Sequence, residues 1–371
     1  MFYGAANLRI GGMAIRYSQF VPQLYNYCLS LGFQPHLMMP SRAFCSDESQ
    51  GYPIILLAQH FGTFPFDHGR VGGKVAVDRH GPHAAHGEDL VIIHASHVGY
   101  DSESKRFGVY HRARTAEHGF GSNCGKLSAV LRWYRQEYLD AGRRIHLRTL
   151  DGAPVVTIDN ALLDTERADG LFLNLDQLID AAQATAVRVM STAKAFRPAP
   201  RMLARFPARE WGEAPRAIGD ALTAEMFTFR REPTIGPEGQ DLLEAALAPA
   251  MPMLVCSAHP ELDAARYHTQ VEFDRTYRSI QREAAYRDKN ILLISGLNID
   301  VSPHNGHLFP LTKFVPWAAY AQLRDSRTIL LEQDELFKEL AAQPAHNPHS
   351  ISFDTAIAGM AAVEAIEIPS V

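Results

Sequence analysis

Cys45, His97 and Cys124 are the residues of this chain best suited to hold a metal ion, although 52 and 27 positions separate them. Two thiolates and one imidazole form a soft tetrahedral donor set with a fourth position left over. Three protein ligands plus an open position are the pattern of catalytic rather than structural zinc, and such zinc brings the pKa of water down to about 7. The other two cysteines, Cys28 and Cys256, lie in apolar runs and read as small buried residues. Four cysteines are too few to frame 371 residues with disulfides. Histidine is locally dense, with eight of the 17 between His60 and His111, and it is the natural proton carrier near neutral pH.

Composition narrows the function classes. The chain is 46% hydrophobic and 21% charged, an ordinary globular balance. A formal net charge of -5 offers no basic excess for a phosphate backbone, so no nucleic-acid partner is expected. No stretch of 18 apolar residues occurs, so no membrane span is expected. The start Met1-Phe-Tyr-Gly lacks a basic segment leading into an apolar one, and a cytoplasmic location is expected.

The elements that must position the three residues follow from periodicity. Apolar residues at helical spacing predict a helix over 13–33, and another is expected over 53–60. Residues 36–45 read as a buried strand delivering Cys45 at its end. The run Asp89–His94 reads as a second strand, with His97 just beyond it. Gly121-Ser-Asn-Cys124-Gly opens an amphipathic helix, whose dipole and free amides favour a thiolate. Further helices are expected around 172–188, 212–229, 238–248 and 260–287, and a strand over 290–300. Strands interleaved with helices predict an α/β fold, which gathers functional side chains at the carboxyl edge of its sheet.

Ordered motifs add to this reading. Phe44-Cys45-Ser-Asp47-Glu48 resembles the Cys-Arg-Asp-Glu segment of the limiting-CO2-inducible B/C family, β-type (θ-class) carbonic anhydrase relatives. In the same order, His60-Phe-Gly-Thr-Phe64, Gly73-Lys74, Ala95-Ser-His97-Val, Tyr110-His111-Arg112 and Ser122-Asn-Cys124-Gly125 resemble that family's segments. Ile294–Asp300 and Leu308-Phe-Pro310 resemble its closing strand and turn. The resemblance spans about 40–315 and is loose over 151–285.

The resemblance implies a β-carbonic anhydrase-like layered fold, with a mostly parallel central sheet flanked by helices. Its expected extent is one domain over 1–345, with an insertion around 151–250 and a tail over 346–371. It implies zinc on Cys45, His97 and Cys124, with His94 the alternative to His97. It also implies reversible hydration of CO2 to bicarbonate, and a homodimer. Asp47 matches the catalytic carboxylate that pairs with an arginine. That arginine stands four residues after the cysteine in β-type enzymes, where this chain has Ser49, and directly after it in the family, where this chain has Ser46. Arg112 is the expected substitute, ahead of Arg42 and Arg114. His83, His86 and His111 are candidates for proton transfer or bicarbonate contact. Two other readings use the same ligands: a non-catalytic zinc subunit that binds bicarbonate, and a zinc hydrolase of a small amide or ester.

Overall fold

A computed structural model describes residues 7–70, 74–75, 89–111, 120–232, 240–303 and 309–363. The chain forms two compact units, one of Met1–Cys124 with His268–Val371, the other of Gly125–Tyr267.

The first unit is built on an eight-stranded sheet. Its strands are β1 (Ile15–Arg16), β2 (Met38–Ala43), β3 (Phe66–Asp67), β4 (Asp89–Asp101), β5 (Arg106–Phe107), β6 (Asn290–Val301), β7 (Leu311–Gln322) and β8 (Thr328–Leu331). At the centre β3, β2, β4 and β6 run parallel, as expected. Antiparallel β7 then joins β6, with β1 and β8 beside it. The helices are α1 (Tyr17–Ser30), α2 (Gly51–Phe61), α3 (Pro260–Arg282, which enters this unit at His268), α4 (Gln333–Ala341) and α5 (Phe353–Ala361).

Strand parity explains how helices flank the sheet. Val91, Ile93 and Ala95 of β4 face a core shared with Phe20 and Leu24 of α1, Leu57 of α2, and Leu336 and Leu340 of α4. Leu90 and Ile92 point the other way, toward Phe273, Tyr277 and Ile280 of α3. Successive side chains of a strand alternate faces, so both faces are apolar and β4 reads as a continuous hydrophobic run. The rings of Phe20 and Phe314 stack at 4.0 Å in the first core. Burying each such ring contributes roughly 1.5–3 kcal/mol.

The expectation that β4 ends at His94 needs correction. It continues to Asp101, so His97 lies inside the strand. The reason is its neighbour: β6 pairs with it from Asn290↔Asp89 to Val301↔Tyr100. That ladder satisfies the backbone of Ser96 and His97 even though their side chains are polar.

The second unit carries the helices Gly125–Arg144 and Gln240–Leu247. Its five-stranded antiparallel sheet includes Ile145–Leu150, Ala153–Asp159 and Ala193–Phe196. The helices expected over 172–188 and 212–229 shrink to short turns, among them Leu175–Leu178 and Gly219–Ala221. Gly170–Leu173 instead pairs with Phe227–Arg230, burying Leu171 and Phe227. Long-range pairing overrides local helix preference there. The expected insertion, 151–250, falls inside this unit.

Candidate metal centre

Each candidate ligand arrives by a different route. β2 ends at Ala43, and Phe44 and Cys45 follow at its carboxyl end, both buried. A short 3-10 turn (Glu48–Gln50) comes next, capped by Asp47, whose Oδ1 accepts the Ser49 N–H at 3.2 Å. His97 continues the Val91–Ala95 face of β4. Cys124 is buried directly ahead of the helix Gly125–Arg144. These routes converge at the carboxyl edge of the parallel strands, where α/β folds gather their sites.

The ligand atoms of Cys45, His97 and Cys124 all lie within 4.8 Å of one another, and all three residues are buried. The two Sγ atoms are 3.8 Å apart. His97 Nδ1 donates to Asp300 Oδ2 at 2.9 Å, while its buried Nε2 has no hydrogen-bond partner. A buried nitrogen left unsatisfied costs about 1–3 kcal/mol. Here that nitrogen stands with two thiols, a donor set that fits a metal ion.

Charges respond accordingly. Burial alone would depress the His97 imidazole, but the Cys124 charge and the Asp300 bond outweigh it and hold its pKa well above the ordinary value. The hydrogen bond with Cys45, together with burial, raises the Cys124 thiol. Burial pushes the Asp47 carboxyl up to about 6 against the opposing charge of His97, with Glu48 adding to the rise.

No protein-family model matches the chain, and no curated protein matches it. Among solved structures it is similar to PtLCIB4, a homologue of the limiting CO2-inducible protein LCIB. The identity is 13%, 86% of this chain and 95% of that chain are covered, and the TM-score is 0.50. A histidine-to-alanine mutant of PtLCIB4 is similar at 12% identity, over 86% and 93% of the two chains, also with TM-score 0.50. The chain has the PtLCIB4 fold.

Within this PtLCIB4-like fold the expected site residues separate clearly. Cys45, His97 and Cys124 come together, with Asp47 close by. His94 does not join them: it lies on the opposite face, where its Nδ1 meets Ser295 Oγ at 2.7 Å. Arg42 is engaged elsewhere, donating to Asp67 at 2.7 Å, and among the described residues no arginine pairs with Asp47. Arg112, Arg114, His83 and His86 lie outside the described residues. His111 is half-buried, and its backbone N–H donates to Ser302 Oγ at 3.1 Å.

Sequence reasoning missed the polar shell around His97. Asp300 is fully buried on β6, two residue pairs along from His97: Asn298 is paired with His97, and Asp300 with Gly99. Its Oδ2 accepts from His97, from Ser49 Oγ at 2.9 Å and from Gln50 Nε2 at 2.8 Å, while its Oδ1 accepts from Thr312 Oγ1 at 2.9 Å. Gln50 Nε2 also lies 3.3 Å from His97 Nδ1. Both are donors to one carboxylate oxygen, so this is a side-by-side approach rather than a bond. The available signal was Asn298 and Asp300, two polar residues at strand spacing closing an apolar run.

Proposed function

We propose that this chain binds zinc through Cys45, His97 and Cys124 and catalyses the reversible hydration of CO2 to bicarbonate. One observation carries the reading: the unpartnered His97 Nε2, deep in the protein, beside two thiols. Thiolates and imidazole suit zinc over harder cations. Bound zinc supplies Lewis acidity and a hydroxide nucleophile near neutral pH. The likeness in fold to a homologue of a limiting CO2-inducible protein supports CO2 as substrate.

The chain's own residues have separable parts. His97 is held in the tautomer that presents Nε2, because Nδ1–H is committed to Asp300. Asp47 stands outside the three-residue ligand group and accepts from the Ser49 amide, which leaves a fourth metal position unclaimed by that carboxylate. From there it orients the nucleophile as a hydrogen-bond acceptor. Arg112 is the proposed partner of Asp47, and His83, His86 and His111 are proposed to carry protons or meet bicarbonate. The active form is proposed to be a homodimer.

A second reading has one observation in its favour. Asp47 has no arginine beside it among the described residues, which suits a zinc-holding subunit that binds bicarbonate without turnover. Metal analysis and stopped-flow CO2 hydration separate the two. The catalytic reading expects one zinc per chain and CO2 hydration in the wild type. Cys124→Ser loses both, and Asp47→Ala keeps zinc but loses rate by at least about tenfold, since a positioned acid or base typically contributes 10²–10⁴. Zinc without acceleration, and no effect of Asp47→Ala, favours the binding subunit. Full zinc content in Cys124→Ser overturns the ligand set.

A further inference from the structure

Asp300 is bound by more than His97, and its other partners lead back to the remaining ligands. Ser49 Oγ donates to Asp300 and itself accepts from Asn123 Nδ2 at 3.0 Å. Asn123 is the residue before Cys124, and Ser49 follows Cys45 by four positions in the turn that Asp47 caps. Gln50 Nε2 donates to the same carboxylate, while its Oε1 accepts from Asn298 Nδ2 at 2.7 Å. Asn298 Oδ1 accepts from Tyr17 Oη at 2.7 Å, on α1. Ser49, Gln50, Asn123, Asn298 and Asp300 are all nearly or fully buried.

Resting on the zinc reading above, we propose that Asp300 and Ser49 form one positioning frame for all three metal ligands. Asp300 fixes His97 directly. Ser49 ties the Cys45 turn to Asn123, the residue ahead of Cys124. Gln50 and Asn298 each donate with the nitrogen and accept with the oxygen, and Asn123 donates to Ser49, so neighbouring members orient one another. Neither residue touches the reacting atoms; both act through the ligands.

A specific consequence concerns position 49. This chain carries a serine there in place of the arginine of β-type enzymes, and that serine is buried with its hydroxyl on Asp300. Restoring an arginine at 49 removes a strut of the frame and forces a cation into a packed interior. It is therefore expected to weaken metal binding rather than repair a carboxylate–arginine pair. Ser46 is exposed, so the same charge there is tolerated.

The test uses the full-length chain, stripped of metal by a chelator and titrated with Zn2+ against a competing dye. Asp300→Asn is expected to lower zinc affinity by about 10- to 100-fold, the usual loss when an outer partner of a metal ligand is removed. Ser49→Ala and Ser49→Arg also lower it, Ser49→Thr restores it because the hydroxyl returns, and Ser46→Arg leaves it unchanged. Melting of the metal-free variants controls for folding. A readout independent of metal comes from NMR of the metal-free wild type, which should show a hydrogen-bonded His97 Nδ1 proton protected from exchange, a protection that is lost in Asp300→Ala. An unprotonated Nδ1 overturns the frame. So does wild-type zinc affinity in both Asp300→Asn and Ser49→Ala. If the wild type itself takes up no zinc while Nδ1 is protonated, the zinc reading has failed and the frame has no metal to serve.

Discussion

His94 and His97 lie three positions apart on one strand and meet opposite surroundings. His97 faces thiols and a carboxylate that favour its charged form. His94 is fully buried beside Ser295, and burial lowers its pKa to about 3 despite the nearby Glu272 charge. His68, whose Nδ1 meets Ser41 Oγ, is likewise lowered to about 3 by burial. Both folded values lie below the unfolded value near 6.5, so between pH 6.5 and 3 the unfolded chain binds protons that the folded chain refuses. Stability is complete above pH 6.5 and is lost as the pH falls, by about 3 kcal/mol for each histidine at pH 4. Urea denaturation between pH 4 and 8 checks this. His94→Gln and His68→Gln should each flatten the acid side of the curve, and an unchanged slope in both would count against the assignment.

At the scale of elements, the site depends on two close backbone approaches that only glycine permits. A Cβ on Gly69 would stand 2.3 Å from the Phe44 carbonyl oxygen, next to Cys45. A Cβ on Gly99 would stand 2.6 Å from the Val109 carbonyl oxygen and 3.0 Å from Asn123 Cβ, next to Cys124. These neighbours are backbone, or a Cβ fixed to it, and they cannot swing aside. Gly69→Ala and Gly99→Ala should each destabilise the fold by about 1–3 kcal/mol, the usual cost of overpacking. Both should also weaken zinc retention, because the displaced backbone carries a ligand. Thermal melts and metal content of the two variants decide it; zinc held as in the wild type would show that these approaches do not set the site. The same scale shows where sequence reading stops. α1, α2 and β2 were legible because their apolar spacing matches their own period. The strands at 170–173 and 227–230 were not, because each pairs with the other, 54 or more residues away.

For the whole molecule, every candidate ligand and every member of the Asp300–Ser49 frame belongs to the first unit. Ligand binding to the native state alone stabilises it by RT ln(1 + [L]/Kd), about 4 kcal/mol when zinc is a thousandfold above Kd. Zinc should therefore raise the melting temperature of the wild type and leave that of Cys45→Ala unmoved, as read by differential scanning calorimetry. Equal shifts in both would place the metal elsewhere. No helix among the described residues is long and apolar enough to cross a membrane.

The α/β class, the strand that delivers Cys45 and the nearness of Asp47 to it are legible in composition, local periodicity and adjacency in the chain, whereas the choice of Cys45, His97 and Cys124 as candidate ligands leaned on the resemblance in ordered motifs. That His97 lies within its strand, and that Asp300 and Ser49 bracket the candidate ligands from 251 positions apart, emerged with the packed chain. A buried polar group must find its partner in three dimensions, and no local pattern in the chain records which distant residue that partner will be.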